Sequence, residues 1–251
     1  MPEAPTLVVG RTDAPALVHG VHGAAGQTSW TCFTRRAGLD GDWEAVEWAS
    51  VPPGGISGEH LHTRTEEVYF LLSGRARIFL DGRPTDIEPG HTVLTKVGTR
   101  HALHNIGDEP VSWLVIEILS PQVARALAVA GHPADATHEA GEAETVDSTV
   151  INLGELVEFD PRKVFAGPLD LIRIETLEPG RELDLAADGC EHTLFVLRGE
   201  GSGHGPGPDP VPLRPGTSVT VPYGGRVRVR AGADGIEFFR ARMAVDGGPR
   251  P

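Results

Sequence analysis

From Trp43 onward, apolar and polar positions alternate in short runs bounded by turn residues, a pattern that predicts strands rather than helices. Residues 44–51, 67–72, 76–80, 92–96, 101–105 and 111–119 all read this way. The turns between them are explicit: Pro53-Gly54-Gly55, Ser73-Gly74, Asp81-Gly82, Pro89-Gly90 and Gly107-Asp108. Residues 1–25 are rich in Ala, Gly and His and hold no sustained period, so they read as an N-terminal arm. After Pro121 the Ala-rich run 122–130 suits one short helix, and residues 131–148 lack large apolar side chains and read as a linker. The strand-and-turn pattern then restarts at Val150. Gly54, Gly90 and Gly98 recur 126 positions later as Gly180, Gly216 and Gly224, and Gly74 recurs 125 later as Gly199. Phe70-Leu71-Leu72-Ser73-Gly74 is echoed by Phe195-Val196-Leu197-Arg198-Gly199. A repeat of this length is a duplicated domain. The expectation is all-β: two tandem barrels, 26–120 and 149–245, joined by a helix and linker at 121–148 and ending in a tail at 246–251.

Composition narrows the function classes. The 251 residues suffice for two ordinary domains, and 39% hydrophobic with 23% charged residues is a globular balance. The net charge of −13, from 22 basic and 35 acidic residues, argues against nucleic acid or an anionic membrane as partner. Part of the acidic excess, at Glu139, Glu142, Glu144 and Asp147, reads as solubilising. No apolar run approaches the roughly 20 residues needed to span a bilayer. The first residues lack a basic stretch followed by an apolar core, so no signal peptide is visible. With only Cys32 and Cys190, 158 positions apart, a reducing cytoplasm is the simpler expectation. No nucleotide-binding glycine fingerprint sits in the required strand–helix context, so no organic cofactor site is expected.

The candidate chemistry lies in the first half: Gly54-x5-His60-x-His62-x4-Glu67-x6-Gly74, then Gly90-x5-Lys96-x-Gly98-x2-His101-x3-Asn105. Side chains alternate along a strand, so His60 and His62 project from one face with Cα atoms roughly 6.6 Å apart. Both imidazoles then converge on one point. Glu67 starts the next strand and shares a face with Tyr69 and Leu71, and His101 opens a later strand that completes three imidazoles and one carboxylate. Glu66 is the rival carboxylate; alternation lets only one of the pair point inward, and the interval to Gly74 favours Glu67, leaving Glu66 outside, ion-paired or solvated.

These two segments resemble the paired motifs of the cupin superfamily, whose fold is a small jelly-roll barrel. The resemblance implies that His60, His62, Glu67 and His101 bind a divalent metal inside the barrel. Lys96 departs from the family pattern, which has Pro there, without removing a ligand. Mixed N/O ligation suits Fe, Mn, Co, Ni, Cu or Zn over Ca or Mg. Tyr69, Arg77 and Trp113 are the expected pocket walls, and Glu67 doubles as a proton acceptor if its bond to the ion is labile. The second barrel lacks a His-x-His pair and should hold no such ion: Ala186 and Asp188, or Leu185 and Ala187, fall at the two His positions, His192 at that of Glu67 and Val227 at that of His101. His19-x2-His22 in the arm reads as a flexible loop in its Gly-rich context, with approach to the metal or substrate as the alternative. The expected activity is a metal-dependent bicupin enzyme acting on a small enol, hydroxy-ketone or polyketide-like substrate, first as a dioxygenase in bacterial specialised metabolism. The alternatives are a non-redox cyclase, isomerase or decarboxylase, and a non-catalytic small-molecule-binding cupin. A small molecule is the expected partner, with a homodimer left open.

Overall fold

The computed structural model describes residues 5–24, 26–129 and 147–245. The expected linker at 131–148 and the tail at 246–251 lie almost wholly outside the described residues. The structure consists of two tandem jelly-roll barrels, as the repeat implied. In the first, a seven-stranded sheet faces a four-stranded one. Thr65–Ser73, Val111–Leu119 and Trp43–Val51 form the centre of the large sheet, and Ile56–Leu61, Arg100–Asn105, Ala76–Leu80 and Arg83–Ile87 form the small one. Pro121–Val129 is the expected short helix.

Alternation explains the packing. On Thr65–Ser73, Tyr69 and Leu71 point into the barrel with Trp113 and Val115 of the neighbouring strand. Val68, Phe70, Leu114 and Ile116 point the other way, into a second apolar layer shared with Phe195, Phe239, Ala241 and Met243 of the second barrel. The large sheets are therefore apolar on both faces and stack back to back, which makes the two barrels one packed body. The paired turn glycines adopt matching left-handed conformations, with φ of +71° at Gly54 and +70° at Gly180, where a side chain would be strained.

The halves also exchange strands. In the expected arm, Val8–Arg11 pairs with Thr217–Val221 of the second barrel, while Ala16–His19 pairs with Gln27–Arg35 of the first. Thr149–Asn152, at the start of the second repeat, pairs with His91–Thr95 of the first barrel. Among the described residues, no helix is long and apolar enough to cross a membrane.

Candidate metal centre

Three strands bring the site together between the two sheets of the first barrel. His60 lies on Ile56–Leu61 directly opposite His101 on Arg100–Asn105. His62 follows the end of its strand, and Glu67 sits on Thr65–Ser73 in the large sheet. The Nε2 atom of His101 is 3.0 Å from that of His60 and 3.0 Å from that of His62. Glu67 Oε2 lies 3.2 Å from His101 Nε2 and 3.4 Å from His62 Nε2. His62, Glu67 and His101 are buried and His60 is half-buried.

The outer ring nitrogens hold each imidazole in place. His60 Nδ1 meets the Gly58 carbonyl at 3.0 Å, His62 Nδ1 the Thr65 carbonyl at 3.1 Å, and His101 Nδ1 the Thr95 hydroxyl at 3.2 Å. Donation from Nδ1 to the two carbonyls leaves Nε2 of His60 and His62 as an inward lone pair, the arrangement of metal-binding histidines. Burial pushes His101 down to about 3 and also lowers His60, so both are neutral at ordinary pH. Burial opposes charge on His62 too, but its contact with Glu67 outweighs that and raises it. Burial likewise opposes ionisation of Glu67, and the surrounding imidazoles hold its carboxyl below the ordinary range.

Glu67 Oε2 is fully buried, yet it makes no well-aligned hydrogen bond despite imidazole nitrogens of His62 and His101 within 3.4 Å. Such an orphaned carboxylate oxygen is costly in a low-dielectric interior unless a cation compensates it. The ligand atoms of His60, His62 and His101 lie within 4.8 Å of one another and the Glu67 carboxylate touches two of those rings, a mixed N/O lining that fits a divalent transition ion.

The other expected residues divide. Tyr69 is buried with its ring 5.0 Å from His101 and 5.7 Å from Trp113, so both aromatics line the barrel beside the site. Arg77 does not: it alternates outward from Ala76–Leu80 and forms a surface ion pair with Asp86, Nε to Oδ1 at 2.6 Å. Glu66 is not solvated. It is buried, and its carboxylate accepts the amides of Ala166 and Gly167, each at 2.8 Å, from the second half of the chain.

Three residues enter the site that sequence reasoning did not place there. Glu117 is paired directly across from Glu67 and faces inward with it. Its carboxyl is pushed up to about 7 by burial and then by the nearby Glu67 and Glu47 charges. Glu47 faces the same side, opposite Val115, and accepts a hydrogen bond from Trp30 Nε1 at 2.8 Å. Alternation from Trp113 through Val115 to Glu117 was the available signal for the first of these. His22, from the arm, stacks on His60 with ring centroids 3.6 Å apart and planes 10° from parallel. No periodicity in its Gly-rich surroundings pointed there.

In the second barrel, Leu185 pairs with Val227 as His60 pairs with His101. Ala187 exchanges main-chain hydrogen bonds with Gly224 and Gly225 in the place of His62. The structure thus chooses between the two sequence registers. Leu185, Ala187 and Val227 belong to that barrel's apolar core, and His192 alone remains of the constellation.

Residues 47–117 match the cupin domain family. The first barrel is a cupin domain. An uncharacterized protein of Methanocaldococcus jannaschii is 35% identical over 71 residues, 28% of this chain and 57% of that protein. The oxalate-binding protein of Thermotoga maritima is 23% identical over 120 residues, 47% of this chain and 99% of that protein. Polyketide synthase CurC of Streptomyces cyaneus is 31% identical over 61 residues, 24% of this chain and 40% of that protein. Two of these three matches thus span less than two thirds of the relative's own length. Solved structures carry the two-barrel fold further. Ylba of E. coli superposes with a TM-score of 0.71 over 95% of this chain and 90% of its own at 11% identity. A deletion mutant of Bacillus subtilis oxalate decarboxylase gives 0.64 over 97% and 78% at 15% identity. Salicylate 1,2-dioxygenase of Pseudaminobacter salicylatoxidans gives 0.59 over 81% and 71% at 14% identity. At such identities the likeness is one of fold, and the cupin site must be argued from its own residues.

Proposed function

We propose that the first cupin barrel is a metal-dependent enzyme site for a small, oxygen-bearing molecule of the enol, hydroxy-ketone or polyketide type, acting as a dioxygenase. The observation that carries this reading is the cluster of three inward imidazole nitrogens, with the unbonded Glu67 Oε2 against two of them. His60, His62, His101 and Glu67 would hold the ion. When bound, it supplies Lewis acidity toward substrate oxygens and, if redox-active, a means of engaging dioxygen.

The surrounding residues set the substrate class. Glu47, Glu67 and Glu117 all face inward, so a dianionic ligand would meet repulsion, whereas a neutral enol or hydroxy-ketone would not. Tyr69 and Trp113 provide flat apolar wall for a planar molecule. Glu117, titrating near neutrality, is suited to take the proton such a substrate loses on binding.

That same carboxyl favours a second reading, non-redox enolisation followed by cyclisation, isomerisation or decarboxylation, because a poised base serves it directly. Metal analysis of protein purified without added metal, with turnover of hydroxy-ketones compared in air and under nitrogen, separates the two. Bound Fe, Ni or Cu with oxygen-dependent turnover is the expected result. Bound Zn with oxygen-independent turnover would overturn the dioxygenase reading.

A further inference from the structure

We propose that His22, delivered by the N-terminal arm, contacts the small molecule bound beside the ion, offering it a ring N–H while backing His60. The proposal rests on the metal-site reading above. Four observations place His22 there. Its ring lies face to face on His60, 3.6 Å away, so the arm covers the half-buried ligand of the cluster. Its backbone is left-handed, φ +52° and ψ +35°, a conformation few non-glycine residues adopt and one found disproportionately at functional sites. The neighbouring barrel strand is shaped to receive it: a Cβ on Gly58 would stand 2.3 Å from the His22 carbonyl oxygen, so only glycine admits the arm at this depth. The turn carrying His22 is also held on both sides, by Ala16–His19 and Gln27–Arg35, which pair with each other in the first barrel's sheet.

His22 is not proposed as a further ligand: its ring lies flat against the face of His60, 3.6 Å away, where it backs that imidazole. The other three rings spend Nδ1 on protein hydroxyl or carbonyl groups; no hydrogen bond from the described residues engages either nitrogen of His22. An imidazole so placed serves a ligand at the barrel mouth. A hydroxy-ketone or enol is the class that presents a second oxygen next to the one the ion takes.

The test uses the full chain loaded with Co(II), and maltol, a simple hydroxy-ketone, as probe. His22→Phe keeps a ring against His60 and removes the donor; His22→Ala removes both. His22→Asn restores a donor at the position of Nδ1 and tolerates a left-handed backbone, and His22→Gln restores one at that of Nε2. Melting temperature confirms that each variant folds. The expected result is Co(II) affinity within about twofold of wild type for His22→Phe, with maltol affinity about tenfold weaker, the size of one hydrogen bond. Either His22→Asn or His22→Gln should recover most of it. Undiminished maltol binding by both His22→Phe and His22→Ala overturns the proposal, as does a Co(II)-loaded wild type that takes no maltol. Failure of the wild type to hold Co(II) removes the metal reading itself and is seen before any maltol is added.

Discussion

At the residue scale, the site depends on buried ionisable groups that constrain one another. Glu117 gives the clearest consequence. Its carboxyl titrates near 7 in the folded chain, above the ordinary carboxylate value. Below about pH 4.5 it is protonated whether the chain is folded or not, so burial carries no charge penalty there. As pH rises through 7, the folded state must bury a charge that the unfolded state solvates freely, and stability is lost. Metal-free Glu117→Gln should therefore match the parent near pH 4.5 and exceed it above pH 8, by at most about 3 kcal/mol. Melting curves across pH check this, and parallel curves would contradict it. The gathering of His60, His62 and His101 was legible because strand alternation and spacing are local. The burial of Glu66 and the approach of His22, ranked behind a flexible loop, were hard to read for one reason: each is defined by a segment far away in sequence. Arg77 was expected in the wall, whereas its alternation with Ala76 and Ile78, both fully buried, turns it to the surface.

At the element scale, the duplication has built a pair of matching clamps. Glu66 binds the amides of Ala166 and Gly167, and Glu191, 125 positions after Glu66, binds those of Asp40 and Gly41, each at 2.9 Å. Glu191 also accepts from Trp43 Nε1 at 2.8 Å and the Tyr223 amide at 3.0 Å. Each clamp needs glycine beneath it: a Cβ on Gly41 would lie 2.8 Å from Glu191 Oε2, and one on Gly167 2.9 Å from Glu66 Oε2. Glu191→Ala would strand four donors, two of them wholly buried, and should cost about 3 kcal/mol, lowering the melting temperature by roughly 6–12 °C. Glu191→Gln should cost less. A shift under 2 °C for the alanine variant would show that the clamp is dispensable. The central strands were readable from alternation, and 76–80 and 111–119 agree with the strands observed. The strand Gln27–Arg35 was not predicted, since Thr, Ser and Cys between its aromatics blur the two-residue period. The exchanged strands at Val8–Arg11 and Thr149–Asn152 are short, and their partners are set by tertiary packing.

For the whole molecule, duplication has separated two tasks. Both barrels contribute to the shared apolar layer, while among the described residues only the first holds the imidazole cluster. In the second, apolar side chains fill three of the four positions, and Arg242 stands opposite His192 where Glu117 stands opposite Glu67. Glycine spacing made the repeat legible, because turn geometry preserves glycine even where the chemistry has been lost. How the barrels share a face was not legible, since an apolar position does not reveal which of two cores it enters. The central claim is one ion per chain, held by the first barrel alone. Its most direct test is the metal content of the full chain after Co(II) loading and desalting, wild type against the His60→Ala, His62→Ala double variant. One equivalent in the wild type and none in the double variant is the expected result; an equivalent retained by the double variant, or none held by the wild type, would contradict it.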